Sequence, residues 1–156
     1  MVRISRYLAI IVLIVAVVGI AMGSVFIAQA VEKNSYLREQ MAAEKVTLGI
    51  PEELAAAGDV VDTAQEAQVA ADTIKEHRHS IAPTYNDLLG GGRFDPTNPE
   101  QITYMQALNM ENYLYVAVLA FGVTTVILAT GAFMIATGIA LGGTGIALLA
   151  LSRKTA

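Results

Sequence analysis

"YLAIIVLIVAVVGIAMGSVFIA", Tyr7 to Ala28, decides the fold. It contains no charged residue, and the charge-free block around it extends from Arg6 to Glu32. A bilayer-spanning helix needs roughly 20 predominantly apolar residues, so this block is long enough to cross. A second charge-free block lies between Glu111 and Arg153. Two such blocks in 156 residues mark a membrane protein, and the expected class is all-α with two transmembrane helices and a small extracytoplasmic helical domain between them.

Arg3 and Arg6 before the first run, with Ala28-Gln29-Ala30 after it, have the layout of a secretory leader. Leader cores are usually about 7–15 residues, however, and this one is longer, so an uncleaved anchor is expected. The second block, Asn112 to Ser152, would reach roughly 60 Å as one helix at about 1.5 Å per residue. A hairpin turning near Thr130-Gly131 would need a polar loop that the sequence lacks. The expected form is one helix that crosses the membrane and loosens near Gly142-Gly143. The resulting plan is residues 1-6 as a cytoplasmic N-terminus, 7-28 as the first span, and 29-112 as a small extracytoplasmic helical domain. A second span at 113-141 and a glycine-broken segment at 142-156 complete it.

Charge sets the orientation. Arg3, Arg6, Arg153 and Lys154 flank the spans with no acid among them, whereas residues 32–111 hold all 14 acids and six bases, a net of −8. Lys and Arg beside a span are retained on the cytoplasmic side. Both termini are therefore expected to be cytoplasmic, in the cell (inner) membrane, with 29-112 outside. An acidic outer segment argues against nucleic acid as a partner. The absence of cysteine leaves no disulfide or thiol chemistry.

The outer segment reads as helices and connectors. Val31 to Val46 continues the first span as a helix to about Thr47, a short turn follows at Pro51 to Ala57, and Gly58 stops it. Asp62 with Gln65 has capping-box spacing ahead of a helix reaching about Ser80. Its apolar face, Ala64, Ala67, Ala71, Ile74 and Ile81, is mostly alanine and needs neighbours to bury it. "LLGGGRFDPTNP" is a loop. Asn98, Pro99 and Gln101 then start the last helix with a second capping box, and Tyr104, Tyr113 and Tyr115 are expected near the outer interface.

The polar residues of Ala71–Tyr85 form the candidate site: Glu76, His77, His79 and Tyr85. On a helix the two histidines point about 200° apart, so they do not ligate one ion together. Glu76 and His79 form one Glu-x-x-His step, but di-iron bundles use two, with two further glutamates. The histidines are expected to end a helix, where a partly positive imidazole favours the last carbonyls. No metal, cofactor or catalytic residue is expected, and the chain is not expected to be an enzyme.

Gly58-Asp59-x-Val61, Ala71-x-x-Ile74-x-x-His77, Thr84-Tyr85-x-x-Leu88 and Val118-Leu119-Ala120-Phe121-Gly122-Val123 resemble a family of small bacterial two-span membrane proteins of unknown function. The resemblance covers roughly residues 58 to 140 and implies a two-span architecture with interest in His77 and Tyr85. Some members are labelled aromatic ring-opening dioxygenase. That chemistry on non-haem iron needs converging histidine and carboxylate ligands, which the divergent histidines do not supply.

Within the apolar blocks small residues recur every seven positions: Ala9, Ala16, Gly23 and Ala30 in the first, Ala117, Thr124, Gly131, Gly138 and Gly145 in the second. Gly19 and Gly142 add small-xxx-small steps with Gly23 and Gly138. Lipid supplies no hydrophobic drive between helices, so close approach at small residues carries their association. The spans are expected to pack antiparallel in one chain, with Gly23 near Ala117 or Thr124 and Ala9 near Gly138. The expected role is a structural or accessory subunit whose partners are the lipid bilayer and other membrane subunits or copies of itself. An extracytoplasmic sensor or ligand-binding module is the alternative, and a metal-dependent enzyme comes last.

Overall fold

The structure, a computed structural model, describes the backbone of residues 2–154 and the side chains of residues 5–153. The side chains of Arg3 and Lys154, on which the expected orientation partly rests, lie outside the described residues, as do Met1, Thr155 and Ala156. Among the described residues the fold is all-α, with five helices and no strand: α1 (Val2–Ala43), α2 (Glu52–Ala56), α3 (Ala64–Ile81), α4 (Tyr85–Leu89) and α5 (Pro99–Lys154). Both α1 and α5 are long and apolar enough to cross a membrane. The chain divides into two compact units, one of residues 1–33 with 124–156 and one of residues 34–123.

In the first unit α1 and α5 run antiparallel along the small-residue stripes. Ala9, Ala16, Gly23 and Ala30 are buried, and so are Thr124, Gly131, Gly138 and Gly145, with Leu13, Ile27 and Ile135 half-buried beside them. Helix α5 passes through both Thr130-Gly131 and Gly142-Gly143 without a break, so neither the hairpin nor the glycine-broken segment at 142-156 forms. A helical glycine costs only about 0.5–1 kcal/mol relative to alanine. That is too little to open a helix whose flanks are Ile, Ala and Leu with no other partner for the backbone.

In the second unit α3 lies against the last turns of α1 and the first half of α5. Met41, Val61, Ala67, Ala70, Ala71, Ile74, Leu114, Ala117 and Phe121 form one buried cluster, bordered by Val46, Leu48 and Ile50. The alanine face thus finds the neighbours it needs. Full burial of a side chain such as Leu114 contributes about 1.5–3 kcal/mol, and each alanine far less.

Several boundaries differ from expectation. Helix α1 ends at Ala43, not near Thr47. Lys45 takes a left-handed conformation (φ 51°), and the Val46 carbonyl accepts from the Val61 N–H at 2.8 Å. Leaving the helix early lets Val46, Leu48 and Ile50 fold onto the cluster. The N-cap of α3 is Thr63, not Asp62, and the reciprocal residue is Glu66, not Gln65. One Glu66 carboxylate oxygen accepts from the backbone N–H groups of both Asp62 and Thr63, at 3.1 Å each. A charged acceptor makes the stronger bonds, which selects Glu66 over its amide neighbour. Helix α4 falls where a loop was expected to begin. Thr84 caps it by accepting from the Asp87 N–H, and Gly90 ends it in the left-handed conformation (φ 56°). At α5 the Asn98 side chain accepts from the N–H groups of Glu100 and Gln101 as expected. The second half of that box is absent, because the Gln101 side chain accepts from the Asp95 N–H at 2.7 Å instead.

Candidate functional site

Of the expected polar residues, Glu76, His77, His79 and Tyr85 are all exposed. The residue between the histidines is the buried one. Arg78 continues the alanine face of α3, one helical turn beyond Ile74, and is 7% exposed. Its Nε donates to Glu111 Oε2 at 2.7 Å and its Nη2 to Glu111 Oε1 at 3.4 Å, while Nη1 donates to the Tyr104 hydroxyl. The guanidinium carbon stands 4.9 Å from the centre of the Tyr104 ring, within cation–π range.

His79 and Tyr85 border this clasp. His79 Nε2 lies 3.2 Å from Arg78 Nη2, and the Tyr85 ring packs at 40° on Tyr104 with centroids 6.4 Å apart. Hydrogen bonding to Glu111 outweighs burial and raises the guanidinium above the usual arginine range, so Arg78 is a permanent cation. Tyr104 is therefore not the interface anchor expected of it: it is 1% exposed and serves as the floor beneath Arg78. Arg78, Tyr104 and Glu111 were missed as a group. The signal was present, since Arg78 occupies the alanine stripe of α3. Glu111 also falls seven residues after Tyr104 on the side of α5 that buries Leu114 and Ala117.

Chemically the clasp is saturated. Each Glu111 oxygen accepts from the guanidinium, and no buried side-chain nitrogen or oxygen among the described residues lacks a partner. It ties α3 to α5 and offers no free base or nucleophile. Among the described residues no three His, Cys, Asp or Glu side chains converge on a point.

The seam brings its expected residues together in a shifted register. A Cβ added to Gly23 would come within 2.6 Å of the Gly131 carbonyl oxygen, and one added to Gly131 within 2.7 Å of the Gly23 oxygen. Gly138 meets the Ala16 carbonyl in the same way at 2.9 Å, and Gly145 that of Ala9 at 3.3 Å. The pairs are thus Gly23 with Gly131, Ala16 with Gly138 and Ala9 with Gly145, one heptad from the pairs expected. Gly19 and Gly142 border the contact more loosely, with nearest atoms at 3.5 Å (Met134 oxygen) and 3.8 Å (Ala16 Cβ).

The second unit also carries a groove of about 300 Å³ between the chain from Gly49 to Leu54 and the start of α3. Gly49 presses its backbone on α3, so that a Cβ there would lie 3.1 Å from the Ala70 nitrogen, and its φ of 80° suits glycine alone. Ile50, Pro51, Leu54 and Val69 supply apolar walls, and Asp59 and Glu66 supply carboxylates.

No family model, curated protein or solved structure matches the chain.

Proposed function

We infer that the chain is a two-span integral membrane protein with both termini cytoplasmic and residues 29–112 extracytoplasmic. It acts there as a non-enzymatic structural or accessory subunit. The observation that carries this reading is the division of faces in the first unit. Leu8, Ile14 and Val18 on α1 and Val126, Phe133 and Ile146 on α5 stand exposed, while the small residues face inward. Water would penalise such a surface by about 25 cal/mol per Å², and lipid does not.

The register also refines the spans. With Ala9 opposite Gly145 and Gly23 opposite Gly131, the stretch of α5 beside Tyr7–Val31 is about residues 123–147 rather than 113–141. Both stretches measure about 36 Å along the axis, enough for a hydrocarbon core of about 30 Å. A clasp whose charges are spent on each other supports a scaffolding role over a catalytic one. The resemblance to small two-span bacterial proteins is in keeping with it.

Because the chain has no cysteine, single-cysteine variants report topology without background. In intact cells Ser5→Cys and Lys154→Cys are expected to resist a membrane-impermeant thiol reagent, and Gly91→Cys to react. Labelling at both ends would overturn the orientation. Purification of the intact protein in a mild detergent should return defined subunits in fixed ratio. A monodisperse lone chain that turns over a substrate would overturn the accessory role.

A further inference from the structure

We propose that the groove between Gly49–Leu54 and the start of α3 is a binding site for a small aliphatic ammonium, an apolar stem carrying a protonated amine. Three observations converge on that chemistry. First, the groove holds about 300 Å³, at the lower end of the range of small-molecule pockets. Second, Ile50, Pro51, Leu54 and Val69 give part of its wall an apolar face, beside Thr63 and Gln65. Leu54 stands 49% and Val69 44% exposed there, and α2, which carries Leu54, buries none of its residues. An element that adds nothing to the core still closes one side of a cavity.

Third, the charge in the groove is of one sign. Asp59 and Glu66 line it and no lysine or arginine does. Arg38 acts on the Glu66 carboxylate from outside the lining. Glu66 Oε2 is occupied by the backbone of Asp62 and Thr63, and Asp59 Oδ1 accepts from the Val60 N–H at 3.1 Å. Both carboxylates stand at the groove surface, where an N–H donor can approach them.

A bare divalent cation fits less well. Hard ions take six or more oxygen ligands, whereas this groove offers two carboxylates with the Thr63 and Gln65 side chains, beside Ile50, Pro51, Leu54 and Val69. An apolar stem covers those walls while its ammonium meets the acids.

The test uses the full chain in nanodiscs of zwitterionic phosphatidylcholine, so that the lipid itself attracts no amine. Cadaverine, a five-carbon diamine, is titrated while backbone amide shifts are followed, with pentanediol as the uncharged counterpart and calcium as a competitor. Saturable binding with shifts confined to residues 49–69 is expected, and none with pentanediol. Asp59→Asn and Leu54→Ala, at exposed positions that leave the core intact, should each weaken binding by at least about tenfold. Asp87→Asn, an acid outside the groove, should change it less than about twofold. Equal binding of pentanediol, displacement by calcium, or indifference to Asp59→Asn would overturn the proposal, as would no saturable binding at all.

Discussion

Arg78 on α3 and Glu111 on α5 form the ion pair of the second unit, 2.7 Å apart with each side chain 8% exposed. Both charges are largely screened from water, so each is needed to neutralise the other. Removing one partner of a buried pair typically costs about 3–5 kcal/mol, whereas an apolar replacement of both is often neutral or stabilising. Arg78→Met alone and Glu111→Leu alone are therefore expected to lower stability by about 3–5 kcal/mol. The double variant should recover most of that loss. A double-mutant cycle by chemical unfolding measures the coupling, and additive losses would show that the pair does not act as a unit.

The glycines of the first unit separate into two kinds. A Cβ at Gly23 or Gly131 would strike backbone on the facing helix, whereas one at Gly143 meets nothing within 4 Å. Gly131→Ala is expected to cost about 1–3 kcal/mol through overpacking, and Gly131→Leu more. Gly143→Ala should instead stabilise by up to about 1 kcal/mol through helix propensity. Leu128, 41% exposed, should tolerate alanine better than Gly131 tolerates leucine. Thermal unfolding in one detergent ranks all four.

Register can be checked chemically. The Ile20 side chain lies 2.7 Å from where a Gly138 Cβ would stand. Ile20→Cys with Gly138→Cys is expected to form an intrachain disulfide under mild oxidation. Ile20→Cys with Gly131→Cys, displaced by one heptad or about 10 Å, is not. The reverse result would restore the heptad that the sequence alone suggested.

Acid should loosen the second unit through identifiable carboxyls. Hydrogen bonds from Tyr115 (2.6 Å) and Gln68 (3.0 Å) hold the Asp72 carboxyl below the ordinary aspartate range. At Glu66 burial pushes upward, but hydrogen bonding from Thr63 and the N–H groups of Asp62 and Thr63 prevails and the carboxyl is lowered. A lowered carboxyl stabilises the fold at pH above its unfolded value, about 3.9 for Asp and 4.3 for Glu. That contribution disappears as pH falls through the folded value. Melting temperature is expected to hold from neutrality to about pH 5 and to fall below about pH 4. In Asp72→Asn the fall should be shallower. An unchanged acid limb in that variant would show that Asp72 carries none of the effect.

The helices were legible in the sequence because charge-free length and alanine spacing are local signals. The seam was legible in its members but not in its register. A slip of seven residues again sets small against small, so Gly23 opposite Thr124 looked as sound as Gly23 opposite Gly131. The site was the least legible part. His77 and His79 drew attention as residue types, while Arg78 between them carried the burial. Its partner Glu111 lies 33 residues away on another helix. Capping showed the same limit, since the choice between Asp62 with Gln65 and Thr63 with Glu66 depends on which acceptor the backbone N–H groups reach.

Helix α2 answers to no core. With nothing buried in Glu52–Ala56, mutation can rewrite Glu52, Glu53 and Ala56, none of which lines the groove, at little cost to folding. The stripes of Gly23 and Gly131 allow no such drift. Lineages of this protein should therefore diverge faster along this short helix than along the stripes.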